Sequence, residues 1–340
     1  MSTLSPFLPA YGLRSPLLQS VLATKRPAKI VWRRRGVLLD AISQRLSFKV
    51  QDEDDQPVEL IAHYTPQATA AALVVLIHGW EGSHDSNYLY SMAASLHQAG
   101  HAVVRLNLRD HGGSHSLNAE MFHSARLREV LEAVRSAQGL RPDLPLFVIG
   151  FSLGGNFALR LALHGPQRGL APKLCIGISP AINPYSTLKG INHGPKLFKR
   201  YFLDKWKRTL SAKEAAWPGR FDFTKQRQME CFVEITRAFV AEHTGFARLE
   251  DYLAAYTLTP AQLMAAAVPV AILTAEDDSV CPPTDFAGLG VRGAVVAYAA
   301  TRHGGHCGFI HNWQLESWAE QQVRALIAAQ LSTSSAALGP

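Results

Sequence analysis

Paired cysteines are missing from this sequence. It holds four, Cys175, Cys231, Cys281 and Cys307, with no CxxC and no paired spacing. That excludes a disulfide framework and fits reduced thiols in a cytoplasmic compartment. Long apolar runs are missing as well: nothing approaches the ~18–20 consecutive apolar residues of a membrane span. The N-terminus, MSTLSPFLPAYGLRSP, lacks a basic start followed by an apolar core, so no signal peptide is expected. Charge is sparse, 18% against 47% hydrophobic residues, which excludes global disorder. There is no P-loop, and no GxGxxG opens a helix after the first buried strand, so no cofactor is expected. Zinc-finger spacing, RNP-like sequence, basic heptads and internal repeats are absent too, and nucleic acid is not an expected partner.

What is present is a net charge of +7 and a strand–helix rhythm. The positive charge gathers in Lys25, Arg26, Lys29, Arg33, Arg34 and Arg35, and again in Lys196, Lys199, Arg200, Lys205, Lys207 and Arg208. Such clusters permit peripheral contact with an anionic membrane surface. Residues 1–45 read as an irregular strap with one short helix, Ser15 as its N-cap and Pro16 at its first position. Residues 45–51 and 58–64 alternate apolar and polar side chains around the acidic link Asp52 to Pro57, as in an edge hairpin. Buried-strand runs follow at 72–77, 102–106, 146–149, 173–179, 268–274 and 293–299, separated by helical stretches at 88–98 and 125–138 and by one after Ser152 that buries Phe157, Ala158, Leu159, Leu161 and Ala162, with a last helix near 315–330. This predicts a mostly parallel sheet of about eight strands with helices on both faces. The body spans 46–331, a helical cap insertion occupies 181–263, and 332–340 form a flexible tail. In the insertion, Leu197, Phe198, Tyr201, Phe202 and Trp206 recur at helical spacing, as in a cap helix that packs on the body or lines a pocket, with a lipid-facing helix as the alternative.

Chemistry concentrates where strands end. Gly150-Phe151-Ser152-Leu153-Gly154 joins an apolar strand to a helix. A serine with glycines two before and two after, at such a turn, is a nucleophile elbow: the backbones come so close that side chains at Gly150 or Gly154 would clash. A serine hydroxyl needs a base, and the base needs an orienting carboxylate. His306, flanked by glycines in His303-Gly304-Gly305-His306-Cys307-Gly308, is the candidate base in preference to His303. Asp278 is the candidate acid, with Asp277 and Glu276 as competitors in the same loop. The backbone N–H groups of Leu153 and Trp80 are the candidate oxyanion donors. His78 is expected to brace the Trp80 loop. His111 and His115 lack a helix and a third ligand, so no metal is expected. Cys307 reads as packing.

Taken together, Leu13-Arg14-Ser15-Pro16-Leu17-Leu18-Gln19-Ser20, His78-Gly79-Trp80-Glu81-Gly82-Ser83, Gly150 to Gly155, Asp277-Asp278 and Gly304 to Phe309 resemble the α/β-hydrolase superfamily. Within it they resemble the YheT-like hydrolases, bacterial relatives of the ABHD esterase and lipase group. The family usually has His and Thr where this chain has Leu17 and Ser20, and an acidic Phe-Asp pair where it has Arg237-Ala238-Phe239-Val240. The resemblance implies carboxylesterase activity on small acyl esters, lipid esters included, without a cofactor. An acyltransferase or lipase-like enzyme is the alternative within catalysis. A non-catalytic membrane-surface binding protein on the same fold is the alternative outside it. Oligomeric state is not legible.

Overall fold

The computed structural model describes residues 4–336, and its first regular element starts where the local signals place it. Ser15 Oγ accepts the Leu18 N–H and Pro16 opens α1 (Pro16–Lys25). Two more short helices follow, α2 (Ala28–Arg34) and α3 (Leu39–Ile42), so the strap holds three helices rather than one. They were illegible because Pro27 and the exposed, apolar Ile30 and Leu38 break any amphipathic pattern.

Alternating residues then make the antiparallel pair β1 (Gln44–Gln51) and β2 (Pro57–Thr65). The all-apolar runs make parallel strands buried on both faces: β3 (Leu73–Ile77), β4 (Ala102–Leu106), β5 (Leu146–Phe151) and β6 (Leu174–Ile178). Between and after them lie α4 (Asn87–Gln98), α5 (Leu127–Gln138) and α6 (Leu153–His164). Six helices come next: α7 (Pro184–His193), α8 (Lys196–Ala216), α9 (Thr224–Gln228), α10 (Phe232–His243), α11 (Leu249–Ala254) and α12 (Pro260–Met264). Then β7 (Val270–Ala275), β8 (Val295–Thr301) and α13 (Trp318–Ala336) complete the chain. Helix α13 runs through 332–336, the start of the segment expected to be a flexible tail; 337–340 lie outside the described residues.

The sheet order is β1-β2-β4-β3-β5-β6-β7-β8, parallel from β4 through β8. The pleat sorts the core into two layers. Leu73, Val75 and Ile77 face α5, α6 and the six-helix block. Val74 and Leu76 face the layer of α1, α2, α4 and α13. The loops after β3, β5, β7 and β8 gather at the carboxyl edge of the sheet, where ligands of open α/β folds bind. No helix among the described residues is long and apolar enough to cross a membrane.

Candidate active site

Close backbone approach shapes the turn after β5. A Cβ on Gly150 would fall on the Gly154 carbonyl, and one on Gly154 would fall on the Ile77 and His78 carbonyls. Ser152 sits at φ 53°, ψ −117°, a backbone conformation that costs a non-glycine residue about 1–3 kcal/mol. The strain holds the hydroxyl clear of the sheet, at the N-terminus of α6, whose free N–H groups favour negative charge.

The loop after β8 curls back over this serine. It uses positive φ at Gly304, Gly305, Cys307 and Phe309. His306 Nε2 lies 2.9 Å from Ser152 Oγ, and His306 Nδ1 lies 2.8 Å from Asp278 Oδ2. Since Asp278 can only accept when ionised, Nδ1 carries the proton and Nε2 is free to accept from the serine. The other Asp278 oxygen accepts the N–H groups of Val280 and Cys281 at 2.8 and 3.0 Å, so the carboxylate is fixed. Burial opposes charge on His306, but the neighbouring Asp278 outweighs it and holds the imidazole well above its ordinary value.

Of the three competing carboxylates, only Asp278 meets His306. Asp277 Oδ1 accepts the Gly305 N–H at 2.8 Å, and its Oδ2 is 3.8 Å from His303 Nδ1. It therefore caps the loop that carries His306. Glu276 is exposed. Asp278, Cys281 and His306 present ligand atoms within 4.8 Å of one another. The hydrogen bonds just described occupy both Asp278 oxygens, and burial pushes the Cys281 thiol up to about 11, which disfavours the thiolate a metal would need.

The two candidate oxyanion amides belong to the residue after the serine and to the loop after β3, and both residues line the cavity that holds Ser152. Among the described residues neither the Leu153 nor the Trp80 N–H has a hydrogen-bond acceptor. Their neighbours are occupied: the Gly79 N–H donates to Tyr88 Oη, the Glu81 N–H to His111 Nε2 and the Gly82 N–H to the Gly79 carbonyl. Gly79 backs onto the nucleophile, since a Cβ there would lie 3.2 Å from Ser152 Cβ. His78 is buried. It donates from Nδ1 to the Gly79 carbonyl at 2.7 Å and accepts the Leu108 N–H at Nε2, bracing the loop as a neutral ring. Burial, with His111 alongside, holds it well below its ordinary pKa.

Contacts from the far end of the chain went unread in the sequence. Ser20 Oγ, on α1, accepts the His306 N–H at 2.8 Å. Gln19 donates to the carbonyls of Leu13 and Ile310 and accepts the Ile310 N–H, at 2.7 to 2.8 Å. The strap is thus stitched to the base loop across 286 and 291 residues of sequence, a separation over which no periodic signal carries.

A cavity of about 480 Å³ opens above Ser152 and His306. Its walls are mainly apolar and aromatic, with Trp80, Phe198, Phe202, Trp206, Phe232 and Phe239 prominent. The Trp80 indole stands edge-on to Trp206 and Phe232, at 5.3 Å from each. Leu197 also borders the cavity, although it is 57% exposed. Glu81 and Lys205 are among the charged groups on this wall; burial lifts the Glu81 carboxyl to about 7, against the Thr209 hydroxyl and the Lys205 ammonium.

A mostly parallel eight-stranded sheet, with a strained serine on a strand-to-helix turn at its carboxyl edge, is the architecture of an α/β-hydrolase. The chain belongs to the family described as Hydrolase_4 (serine aminopeptidase, S33), whose model matches residues 68–298. Among its relatives it is YheT-like: it is 26% identical to the putative esterase YheT of Escherichia coli (strain K12), over 98% of this chain and 96% of that protein. It is 24% identical to human protein ABHD15 over 74% of this chain and 54% of that protein. In fold it is similar to the Pyrococcus furiosus esterase Pf2001, with a TM-score of 0.55 and 15% identity over 86% of this chain and 92% of that one. It is also similar to a bacterial brefeldin A esterase, with a TM-score of 0.53 and 18% identity over 95% and 93%.

Proposed function

We propose that this chain is a serine hydrolase of carboxylic esters that works through an acyl-enzyme, with Ser152, His306 and Asp278 as its triad. The observation that carries the reading is the pair of contacts on one imidazole, 2.9 Å to the Ser152 hydroxyl and 2.8 Å to the Asp278 carboxylate. Ser152 Oγ attacks the ester carbonyl carbon while His306 Nε2 takes its proton. Asp278 holds the ring and stabilises the imidazolium. The carbonyl oxygen, now an anion, is received by the Leu153 and Trp80 amides. Collapse expels the alcohol, protonated by His306. Water then attacks the acyl-enzyme, gives its proton to His306, and the acid leaves as Ser152 regains its own.

The aromatic cavity supports an apolar acyl group as the preferred substrate part, and esters of lipid character fall within that class. Residues 181–263 act as the cap that supplies this wall. The four unpaired cysteines support a reducing, cytoplasmic setting.

A fluorophosphonate probe tests the reading directly. Wild type labels and turns over p-nitrophenyl esters, while Ser152→Ala and His306→Ala do neither; equal labelling of wild type and Ser152→Ala would sink it. In an ester series, kcat/KM rises from acetate towards longer chains. With added alcohols, product analysis separates hydrolysis from acyl transfer.

A further inference from the structure

Helix α8 carries Lys205, Thr209 and Lys213 four residues apart, hence on one stripe. All three reach into the body. Lys205 Nζ donates to the Glu81 carbonyl at 2.7 Å, and Thr209 Oγ1 donates to Glu81 Oε2 at 2.6 Å. One turn further, the fully buried Lys213 Nζ donates to Asp110 Oδ1 at 2.7 Å and to the carbonyls of Asn118 and Glu120. The stripe fastens α8 to the loops after β3 and β4.

Glu81 directly follows Trp80, and it has φ 57°. A non-glycine residue holds that conformation only when its surroundings impose it. Here every polar group of Glu81 is held from outside its own loop: its N–H by His111, its carbonyl by Lys205, its carboxylate by Thr209. Two of those three anchors belong to α8. The Trp80 side chain meets the same helix through Phe202 and Trp206.

We infer that Glu81 is a positioning residue: its tether to Lys205 and Thr209 aims the Trp80 N–H at the forming oxyanion, so catalysis depends on how α8 docks. This rests on the reading of Trp80 as an oxyanion donor. Hydrogen-bond donors act on a developing charge only when placed to within a fraction of an ångström, and a 1 Å misplacement costs about 100-fold. A loosened Glu81 therefore weakens the transition state and leaves ester binding in the aromatic cavity largely as it was.

The test uses the full chain with Thr209→Val, Glu81→Ala and Glu81→Gln, assayed on a short p-nitrophenyl ester and with a fluorophosphonate probe. Thr209→Val is nearly isosteric and keeps the fold, which melting curves verify. Thr209→Val and Glu81→Ala each lower kcat by about 10- to 100-fold with KM within about twofold, and slow phosphonylation of Ser152 in parallel. The double variant is no slower than Glu81→Ala alone, because both remove one interaction. Glu81→Gln, which still accepts from Thr209, retains most activity. The inference is overturned by folded variants with unchanged kcat, by a rise in KM at constant kcat, or by Glu81→Gln falling as far as Glu81→Ala. These outcomes presuppose a wild type that labels at Ser152. Loss of that labelling would be a failure of the hydrolase reading itself.

Discussion

Asp277 and Asp278 are adjacent, chemically identical carboxylates whose partners give them different tasks. Asp278 touches the imidazole; Asp277 touches the backbone of the loop that carries it. Asp278→Asn keeps the shape but loses the charge that favours the Nδ1–H tautomer, and kcat falls about 10⁴-fold. The pH profile moves with it. Because the Asp278 charge holds His306 above its ordinary pKa, the acid limb of kcat/KM in wild type lies at higher pH than an unperturbed histidine would place it. Removing the charge lowers the His306 pKa, so the acid limb of kcat/KM shifts to lower pH in Asp278→Asn. Asp277→Asn still accepts the Gly305 N–H through its amide oxygen and loses less than about tenfold in kcat, with the acid limb in place. Steady-state kinetics from pH 5 to 9 on both variants check this.

At the scale of elements, two helices far apart in sequence clamp the loops that carry the chemistry. Helix α8 holds the Trp80 loop; helix α1 holds the His306 loop. The α1 clamp is compact. A Cβ on Gly305 would strike the Pro16 carbonyl, and one on Gly308 would lie 2.6 Å from the Gln19 carbonyl. Replacing Gln19 by Leu strands the Leu13 and Ile310 backbone groups in the interior. Each group left unpaired costs about 1–3 kcal/mol, so the variant melts well below wild type by calorimetry. Ser20→Ala removes one acceptor at the His306 N–H, costs about 1 kcal/mol, and lowers kcat several-fold with little change in KM. Unchanged kcat in a folded Ser20→Ala variant would separate the strap from the chemistry.

At the scale of the molecule, charge is used to join parts rather than to decorate a surface. Asp52, the first residue of the acidic link between the two hairpin strands, is 1% exposed. It accepts from Arg109 and Arg126, both at 3.2 Å, while Arg109 also bonds Glu129 on α5 at 2.5 Å. The network pins the edge hairpin to the loop after β4 and to α5. Arg109→Met leaves buried carboxylates without their counter-charge and costs about 3–5 kcal/mol. Adding Glu129→Leu to it recovers part of that loss, although it deletes a further polar group. Urea denaturation of both variants decides the point; a double variant less stable than Arg109→Met would contradict it. The N-terminal basic cluster is likewise partly consumed internally, by Arg26 with Glu320, Lys29 with Asp40 and Asp85, and Arg35 with Glu316. Lys205, counted in the second cluster, anchors Glu81. The net charge therefore overstates what these stretches offer an anionic surface.

The sequence by itself determined the parts that neighbours dictate. Apolar runs such as Leu73–Ile77 make buried strands, alternation makes the β1–β2 hairpin, and the steric demand of the elbow writes Gly150 and Gly154 around Ser152. The order of serine, acid loop and base loop follows from the same strand rhythm. Tertiary structure decided what depends on aim and on distant partners. A single residue of backbone turn separates Asp278, facing His306, from Asp277, facing Gly305. The helices α2 and α3, the burial of Asp52, the grip of Gln19 and Ser20 on the base loop and that of Thr209 on Glu81 have no local pattern. Each exists because segments far apart in the chain bring a donor and an acceptor together where water is excluded, and there an unpaired group would be costly.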